Sequence, residues 1–535
     1  MNWKTEPRAV KTAALREAAR LLKNKRGNAL AITAAAIFPM LAVIGGGVDV
    51  ARAYLVKSRI NEACDAASLA GRRAMTNEDI NTAASEANKF FNQNFKQGYL
   101  GSAGFTPAIT RPDTGIVKID AQTTVPTTLM RLFGYTSIPV QVTCNASQNF
   151  DNIDIVLVVD LSSTMNTTIN GKKKIDALKE AVMALYKELE PAQEQLKAQG
   201  LRLRYGVVPY NATVNVGKLI RDVNPSYIAD NWTYHSRTKS GSSYTYGPKT
   251  VDVSLFKLGN PVNIKTIFGD TGTSNKTWTG CIEERQTVSS ITSTSSTAYG
   301  DLPSGAYDLN VDMVPTSDAT KWKPQFPDIV YYPSDNPEGS KGQKADDSCP
   351  SPAKLLTETS ESDLQSYVNS LTIGTGTLTD IGMIWGARLI SRGGIFAANN
   401  PSDYNNRPVA RFIVFMTDGD SNVEPELSGA YGVERLARQI TGGTYDTDVP
   451  KNSSSEFQKR QLVRFEIACS AAKQGGASVW TIMFSTPSGY SQSDIDRLKR
   501  CASNSDQVAA SANGDALIAK FKEIAKNIGT LRLSK

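Results

Sequence analysis

The chain has 535 residues, 40% hydrophobic and 21% charged, which is typical of a globular protein of about two to four domains. Its formal net charge is +7, but residues 1–26 contain eight lysines and arginines against two glutamates, a surplus of six. The rest of the chain is therefore nearly neutral, which excludes the broad basic surface of a nucleic-acid-binding protein. The single histidine, His235, excludes a zinc site built from several histidines, and its polar surroundings indicate an exposed loop.

An uncharged segment, residues 27–48, follows the basic tail and is bounded by Arg26 and Asp49. A helix of about 22 residues is roughly 33 Å long, enough to cross the roughly 30 Å hydrocarbon core of a bilayer. Because the positive charge precedes the segment, we predict a single transmembrane helix with residues 1–26 in the cytoplasm and the remainder outside it. A cleaved signal peptide and a buried helix of a soluble protein are the alternatives, and the length of the apolar segment favours neither.

Residues 49–148 are predicted to form a stalk helix followed by a small α+β module. Apolar residues recur at spacings of three and four from Ala53 to Ala67, as on one face of a helix. The segments GIVKIDAQTTVPT and IPVQVTCNAS alternate apolar and polar residues as strands do, and TTLMRLFGY between them is compatible with a short helix.

The N-terminal part of the chain resembles TadG-like proteins of Tad/Flp pilus assembly. The resemblance rests on the Arg-Gly pair before the apolar segment, on Val48-Asp49 at its end and on the alanine-rich NEACDAASLAG. WTGCIEER, YGVVPYNATVNVG, IWGARLIS and IGTLRLSK extend it over nearly the whole chain. A pilin of that system would carry glutamate where this chain has Ala31. The resemblance therefore implies an anchored protein of the bacterial inner membrane, and not a pilus subunit.

From residue 150 to residue 535, apolar strands alternate with amphipathic helices. The predicted strands are IDIVLVVD, LRLRYGVVPY, VARFIVFMTDG, SVWTIMFS and QVAASA. This alternation predicts an α/β fold with a doubly wound, mostly parallel, Rossmann-like sheet, in which ligands bind at the carboxyl ends of the strands. Residues 213–360 interrupt the alternation and are predicted to be a long insertion of loops and short strands, either a partner-binding or a structural element.

Oxygen-bearing side chains are concentrated where two of these strands end. Asp160, Ser162 and Thr164 alternate directly after the first strand, and Asp418 follows the strand FIVFMT. Thr377 lies in a glycine-rich loop before a predicted helix. Two carboxylates and three hydroxyls are hard donors, which suit Mg²⁺, with Mn²⁺ or Ca²⁺ as alternatives. We therefore predict a metal site at one edge of the sheet; polar helix caps without a metal are the alternative.

This set resembles the metal-ion-dependent adhesion site of von Willebrand A domains. Asp160, Ser162 and Thr164 match its D-x-S-x-S motif with threonine in the last place, and Asp418 in TDG matches its final aspartate. The resemblance implies that Ser162, Thr164 and Thr377 ligate the metal directly and that the two aspartates act mostly through water. It also implies that a partner protein supplies an acidic side chain to the metal. Nearby Asp380 and Asp420 match nothing in the motif and are interpreted as loop or cap residues.

All six cysteines follow the apolar segment, where an oxidising compartment would pair them. Six cysteines allow fifteen connectivities, and the sequence does not choose among them. The pairing that we favour is Cys281–Cys349, Cys469–Cys501 and Cys64–Cys144.

Three functions compete for this combination of features. A membrane-anchored, metal-dependent binding protein of pilus assembly or envelope attachment is our preferred interpretation, and a surface adhesin or envelope sensor unrelated to pili is the alternative. The strand ending D-x-x-x-T also resembles haloacid-dehalogenase phosphatases, but Ser162 stands where that chemistry needs an acidic residue. We therefore predict that the protein is not an enzyme.

Overall fold

The structure is a computed structural model that divides the chain into two compact units, Met1–Asn149 with Leu531–Lys535, and Phe150–Thr530. We call them the N-terminal unit and the large unit. The structure describes residues 25–75, 79–112, 116–147, 151–240, 243–263, 275–326, 330–331, 343–344, 349–419, 427–443 and 453–529.

The N-terminal unit is built on one long helix. Helix α1 (Lys25–Ala74) runs without a break through the apolar segment and the stretch predicted as a stalk. Its part from Ile32 is the one helix among the described residues that is long and apolar enough to cross a membrane, by length and composition. It packs against helix α2 (Ile80–Asn94) and against two strands of the sheet that follows.

That sheet is antiparallel, in the order β1 (Ala108–Thr110), β2 (Ile116–Pro126) and β3 (Ser137–Ser147). Residues 130–133, which were compatible with a short helix, form a single 3₁₀ turn between β2 and β3. The Cys64–Cys144 disulfide joins α1 to β3, as we favoured from the sequence. Its neighbours Val56, Ile60 and Phe91 are fully buried, so the module has a small core of its own.

Seven strands of the large unit form one mixed sheet: β4 Asn152–Asp160, β7 Leu203–Tyr210, β16 Lys354–Thr357, β17 Asp403–Tyr404, β18 Arg407–Thr417, β21 Ser478–Phe484 and β22 Val508–Ser511. Their order is β16-β7-β4-β18-β21-β22, with β17 beside β18. Every pairing from β7 to β22 is parallel, whereas the edge strand β16 and the short β17 pair antiparallel. All nine residues of β4 are buried, as its continuous apolar run predicts.

The described helices of the large unit are α3 Lys174–Ala198, α4 Gly217–Val223, α5 Glu361–Asn369, α6 Thr379–Ile390, α7 Glu434–Ala437, α8 Ser453–Gln474, α9 Gln492–Cys501 and α10 Gly514–Gly529. Six of them pack in two groups. Helix α3 contacts α5 and α10, and helix α8 contacts α6 and α9. Gly382 and Gly386 let α6 approach the sheet, because a Cβ atom at either position would lie within 2.6 Å of Tyr210 or Val158.

The remaining strands of the large unit are short, apart from one hairpin. Strands β8 (Asn231–Ser240) and β9 (Ser243–Asp252) form this hairpin within the predicted insertion, so His235 lies on a strand and not in a loop. The short strands are β5 Thr168–Ile169, β6 Lys172–Lys173, β10 Val262–Asn263, β11 Asn275–Lys276, β12 Ile282–Glu283, β13 Lys323–Pro324, β14 Val330–Tyr331, β15 Gln343–Lys344, β19 Ser428–Gly429 and β20 Gly432–Val433.

Two disulfides cross-link the large unit. Cys281–Cys349 closes part of the insertion, and Cys469–Cys501 joins α8 to α9. Both match the pairing that we favoured from the sequence. The described part of the insertion also includes a regular helix, α4, which the absence of helical periodicity did not predict.

Candidate metal centre

The carboxyl ends of β4 and β18 meet at one edge of the sheet. The two strands are parallel, with Val159 beside Met416, so Asp160 at the end of β4 lies next to the end of β18. Asp418 follows β18 directly. Both aspartates are buried, at 0% and 4% exposure, so two carboxyl groups from distant parts of the chain share one enclosed edge.

Hydroxyl groups from the turn after β4 face the Asp418 carboxylate. The Thr164 hydroxyl donates to Asp418 Oδ1 over 2.8 Å, and the Ser162 hydroxyl lies 3.4 Å from the same oxygen. The two hydroxyl oxygens are themselves 2.8 Å apart. Three oxygens from two separate segments therefore form a compact triangle of the kind that can surround one small cation.

Asp160 is fixed by three donors around its carboxylate. The backbone amide of Ser162 donates to Oδ1 over 2.8 Å, and the Thr417 hydroxyl donates to Oδ2 over 2.9 Å. The Tyr210 hydroxyl donates to Oδ2 over 3.4 Å. Burial, and then the negative charge of Asp418, raise the pKa of Asp160 to about 7. Without an added cation, this edge is therefore unfavourable for two ionised carboxylates.

Thr377 lies in the loop that precedes α6, and its residue is 5% exposed. Backbone hydrogen bonds hold this loop beside the ends of β4 and β7: the Gly374 amide donates to the Leu161 carbonyl over 2.7 Å, and the Leu378 amide donates to the Asn211 carbonyl over 2.9 Å. The loop that carries Thr377 is thus bound to the residue that directly follows Asp160.

Lys174 is a member of the site that sequence reasoning missed. It is the first residue of α3, and its ammonium donates to Asp418 Oδ2 over 2.9 Å, with both side chains buried. In the sequence it is one of three consecutive lysines, and nothing local separates it from Lys172, which pairs with the exposed Glu180. Thr417 was also missed, because its contact is with Asp160, which is far away in the sequence, and not with its neighbour Asp418 in the TDG motif.

The donors at this edge fit a hard divalent ion. They are carboxylate and hydroxyl oxygens, with Asp160 and Asp418 as the two anions. Among the described residues there is no group of three or more His, Cys, Asp or Glu side chains that could hold a metal, so a metal here depends on the hydroxyls. Of the two unmatched acids, Asp420 lies outside the described residues.

The other unmatched acid, Asp380, which we interpreted as a loop or cap residue, is hydrogen-bonded by backbone amides in the first turn of α6, as a capping residue is, but it also has charged neighbours. Asp380 is completely buried in the first turn of α6 and lies 3.9 Å from Arg464. It belongs to a separate group of buried charges.

Comparisons with known proteins add a local family match. A family model described as a putative Flp pilus-assembly TadE/G-like family matches residues 27–84, which include the apolar part of α1. No curated protein matches the chain.

Several solved structures of pilus proteins are similar to the chain. They include the pilus adhesin SpaC from Lactobacillus rhamnosus GG, at 12% identity and TM-score 0.31, with 80% of this chain and 36% of that chain covered. The vWF domain of the type V pili tip protein Mfa5 from Porphyromonas gingivalis has 11% identity, TM-score 0.31 and coverage of 72% and 98%. The PilB minor pilin from Streptococcus sanguinis has 11% identity, TM-score 0.33 and coverage of 81% and 79%. The chain thus spans about a third of the length of SpaC.

Proposed function

We propose that the protein is a membrane-anchored, metal-dependent protein-binding component of Tad/Flp pilus assembly or envelope attachment, and that its large unit is a von Willebrand A-type domain with a doubly wound sheet. The observation that carries the proposal is the contact of Ser162, Thr164 and Asp418 oxygens beside the Asp160 carboxyl group. The match of the TadE/G-like family model to residues 27–84 supports the pilus context.

In this proposal Ser162, Thr164 and Thr377 bind the ion through their hydroxyl oxygens, and Asp160 and Asp418 through water. Mg²⁺, when bound, would offer an open coordination position to a carboxylate. The Ser162 amide and the Thr417 hydroxyl keep Asp160 oriented toward the edge. Because the hydroxyl ligands are neutral and Lys174 pairs with Asp418, the two aspartates do not fully balance a divalent charge, and an acidic side chain of a partner protein can complete the site.

We further propose that residues 27–48 of α1 anchor the protein in the inner membrane, with residues 1–26 in the cytoplasm and the large unit in the periplasm or outside the cell. The length and apolar composition of the helix support the anchor. The three disulfides support an oxidising compartment for both units, since cytosolic thiols are kept reduced.

Metal binding is tested by calorimetric titration of the full chain in detergent with MgCl₂ and MnCl₂. We expect one ion per chain in the wild type and none in Asp160→Asn. The matched control is Asp496→Asn, which changes an exposed aspartate of α9 in the same unit and leaves binding unchanged. A folded wild type that binds no divalent ion contradicts the metal mechanism.

Partner capture is tested by crosslinking in cells and mass spectrometry. We expect a set of envelope or pilus proteins that is crosslinked to the wild type and to Asp496→Asn, but lost in Asp160→Asn and after treatment with EDTA. Partners that persist in EDTA contradict metal-dependent binding. Partners that include no pilus protein favour the alternative, an adhesin or envelope sensor unrelated to pili.

A further inference from the structure

The turn between β2 and β3, residues 127–136, projects as a closed loop from the sheet of the N-terminal unit. The Thr127 amide donates to the Thr136 carbonyl over 3.1 Å, and the Thr127 hydroxyl donates to the Tyr135 carbonyl, so the two ends of the loop are tied together. Gly134 takes a φ of +88°, which allows the chain to reverse after the 3₁₀ turn. We call this segment the β2–β3 loop.

Polar groups at the end of the apolar segment fasten the β2–β3 loop to α1. The buried Asp49 carboxylate accepts the amides of Thr128, Leu129 and Met130 over 2.8, 3.0 and 2.9 Å. Arg52, nearly one turn further along α1, donates to the Thr128 hydroxyl over 2.6 Å. The start of the loop is thus held at the level of the first charged residues after the uncharged segment.

The next residues of the loop lie beside the uncharged segment itself. Leu129 packs directly on Gly45, where an added Cβ atom would come within 2.4 Å of the Leu129 Cβ. The Met130 sulfur lies 3.6 Å from the corresponding position on Gly46. Gly45 precedes Asp49 by four residues, which is about 6 Å along a helix. The loop therefore extends past the level of Asp49 and Arg52, to a depth at which lipid would surround α1.

Two large apolar side chains of the loop are exposed. Leu132 is 69% exposed and Tyr135 is 63% exposed, whereas alternate residues of β2 and β3 are buried in the core of the unit. On α1, next to the glycines that contact the loop, the side chains of Val43, Ile44 and Val48 are 76%, 56% and 47% exposed. Large apolar side chains exposed on both elements at one end of a unit indicate a shared apolar surrounding.

We infer that the β2–β3 loop is a second membrane contact, whose Leu132 and Tyr135 insert into the lipid interface on the outer side of the bilayer. The inference rests on the anchor in the proposed function. Leucine contributes apolar area there, and tyrosine suits the headgroup level because its ring is apolar and its hydroxyl polar. Exposed Arg131 can extend toward lipid phosphates. The loop fixes the depth of α1 and the direction in which the β2–β3 sheet leaves the membrane.

The test measures the depth of single probes in the full chain. Leu132→Cys, Val43→Cys and Lys118→Cys are labelled with an environment-sensitive fluorophore, since all six native cysteines are paired. Each variant is reconstituted into phosphatidylcholine–phosphatidylglycerol vesicles and exposed in turn to nitroxide-labelled lipid and to aqueous iodide. Lys118 is the control, because it lies eight residues up β2 from Pro126, roughly 27 Å from the loop.

We expect lipid-borne nitroxide to reduce the fluorescence at Leu132 to a similar extent as at Val43, and iodide to reduce only the fluorescence at Lys118. If iodide, and not the lipid-borne nitroxide, quenches the fluorescence at Leu132 while the nitroxide still quenches that at Val43, the inference is overturned and the anchor stands. Protection of Leu132 from both quenchers also overturns it, because protein then covers the loop. If lipid does not quench Val43 either, the anchor in the proposed function fails.

Discussion

Two groups of buried charges in the large unit have opposite characters. The first is the metal edge, formed by Asp160, Asp418 and their hydroxyl neighbours. The second, which we call the arginine network, joins the insertion to α6 and α8. Its members are three acids and three arginines: Glu284, Asp308, Asp380, Arg285, Arg388 and Arg464.

Within the arginine network, most charges have direct partners. Glu284 accepts from Arg388 over 2.8 Å and from the indole nitrogens of Trp385 and Trp322 over 2.6 and 3.2 Å. Burial opposes the ionisation of Glu284, but Arg388 and then Arg285 hold its pKa below the ordinary value. The Arg285 guanidinium lies 3.7 Å above the Trp322 ring. The network therefore balances its charge internally and has a structural role.

Arg464 extends the network to the second helix group. It pairs with Asp308 and lies 3.9 Å from Asp380 of α6. Asp380 is the weakest member, because burial raises its pKa to about 7. Even so, the network supplies one arginine for each acid.

The metal edge differs because its charge is not balanced by the chain. Asp160 faces hydroxyls, an amide and a second carboxylate, and its pKa is raised to about 7. One cation, Lys174, pairs with Asp418. Buried carboxylates that pair with arginine stabilise the fold, whereas the buried carboxylates among hydroxyls at the metal edge are the arrangement on which the proposed metal site rests.

The largest effect is expected where the balanced network is broken. Glu284→Gln keeps the size of the side chain but leaves Arg388 and Arg285 without their carboxylate, and breaking a buried pair costs about 3–5 kcal/mol. We expect the free energy of unfolding in urea to fall by about this amount. The control is Glu523→Gln, which removes an exposed partner of Lys520 and leaves stability almost unchanged. A Glu284→Gln protein as stable as the control contradicts the structural role.

Much of the fold followed from local patterns in the sequence. The continuous apolar runs predicted β4 and β18 as buried parallel strands, because only a strand covered on both faces needs no polar side. The alternation of strands and helices predicted that Asp160 and Asp418 follow strands ending at the same edge, and the structure brings them together. That a metal binds there stays a prediction.

What the sequence did not provide was long-range pairing. Glu284 and Arg388 are 104 residues apart, and each is one of many charged residues, so no local pattern joins them. The same holds for Lys174, whose partner Asp418 lies 244 residues away. His235 was assigned to a loop from its polar composition, but pairing with β9 makes that stretch a strand.

An intermediate effect is expected from the titration of Asp160. Its pKa is raised from 3.8 to about 7 in the folded protein, so the folded state holds this proton more tightly than the unfolded state. In EDTA, the contribution of Asp160 to the free energy of unfolding is therefore fully present below pH 3.8. It is lost as the pH rises to about 7, with a slope of roughly 1.4 kcal/mol per pH unit.

We expect Asp160→Asn to lack this slope. Urea unfolding between pH 4.5 and 8 measures the difference in the free energy of unfolding between the two proteins. The contributions of other buried acids, such as Glu283, are the same in both proteins and cancel in this difference. Mg²⁺ should have the opposite pH dependence, because it binds the ionised carboxylate and stabilises the wild type increasingly up to about pH 7. Parallel pH profiles for the two proteins in EDTA would show that Asp160 does not titrate in this range.

The smallest effect is expected from substitution of Lys174. Its pairing with Asp418 is the one respect in which the metal edge resembles the arginine network, where internal cations pair with buried carboxylates. The ammonium of Lys174 neutralises Asp418 and, at 2.9 Å from Oδ2, repels a divalent ion bound to the same carboxylate. Lys174→Met retains most of the aliphatic volume without the charge, so we expect Mg²⁺ to bind severalfold more tightly in calorimetric titration.

The control for this change is Lys173→Met, which removes a charge from the exposed neighbour and leaves the affinity nearly unchanged. A weaker affinity in Lys174→Met would mean that the ammonium positions Asp418 for the ion and does not compete with it. The two outcomes separate the roles of the only lysine that the structure pairs with Asp418 among the described residues. If the ammonium of Lys174 competes with the divalent ion for Asp418, this lysine takes the place of the metal when none is bound. Without the lysine, the edge would carry only negative charge.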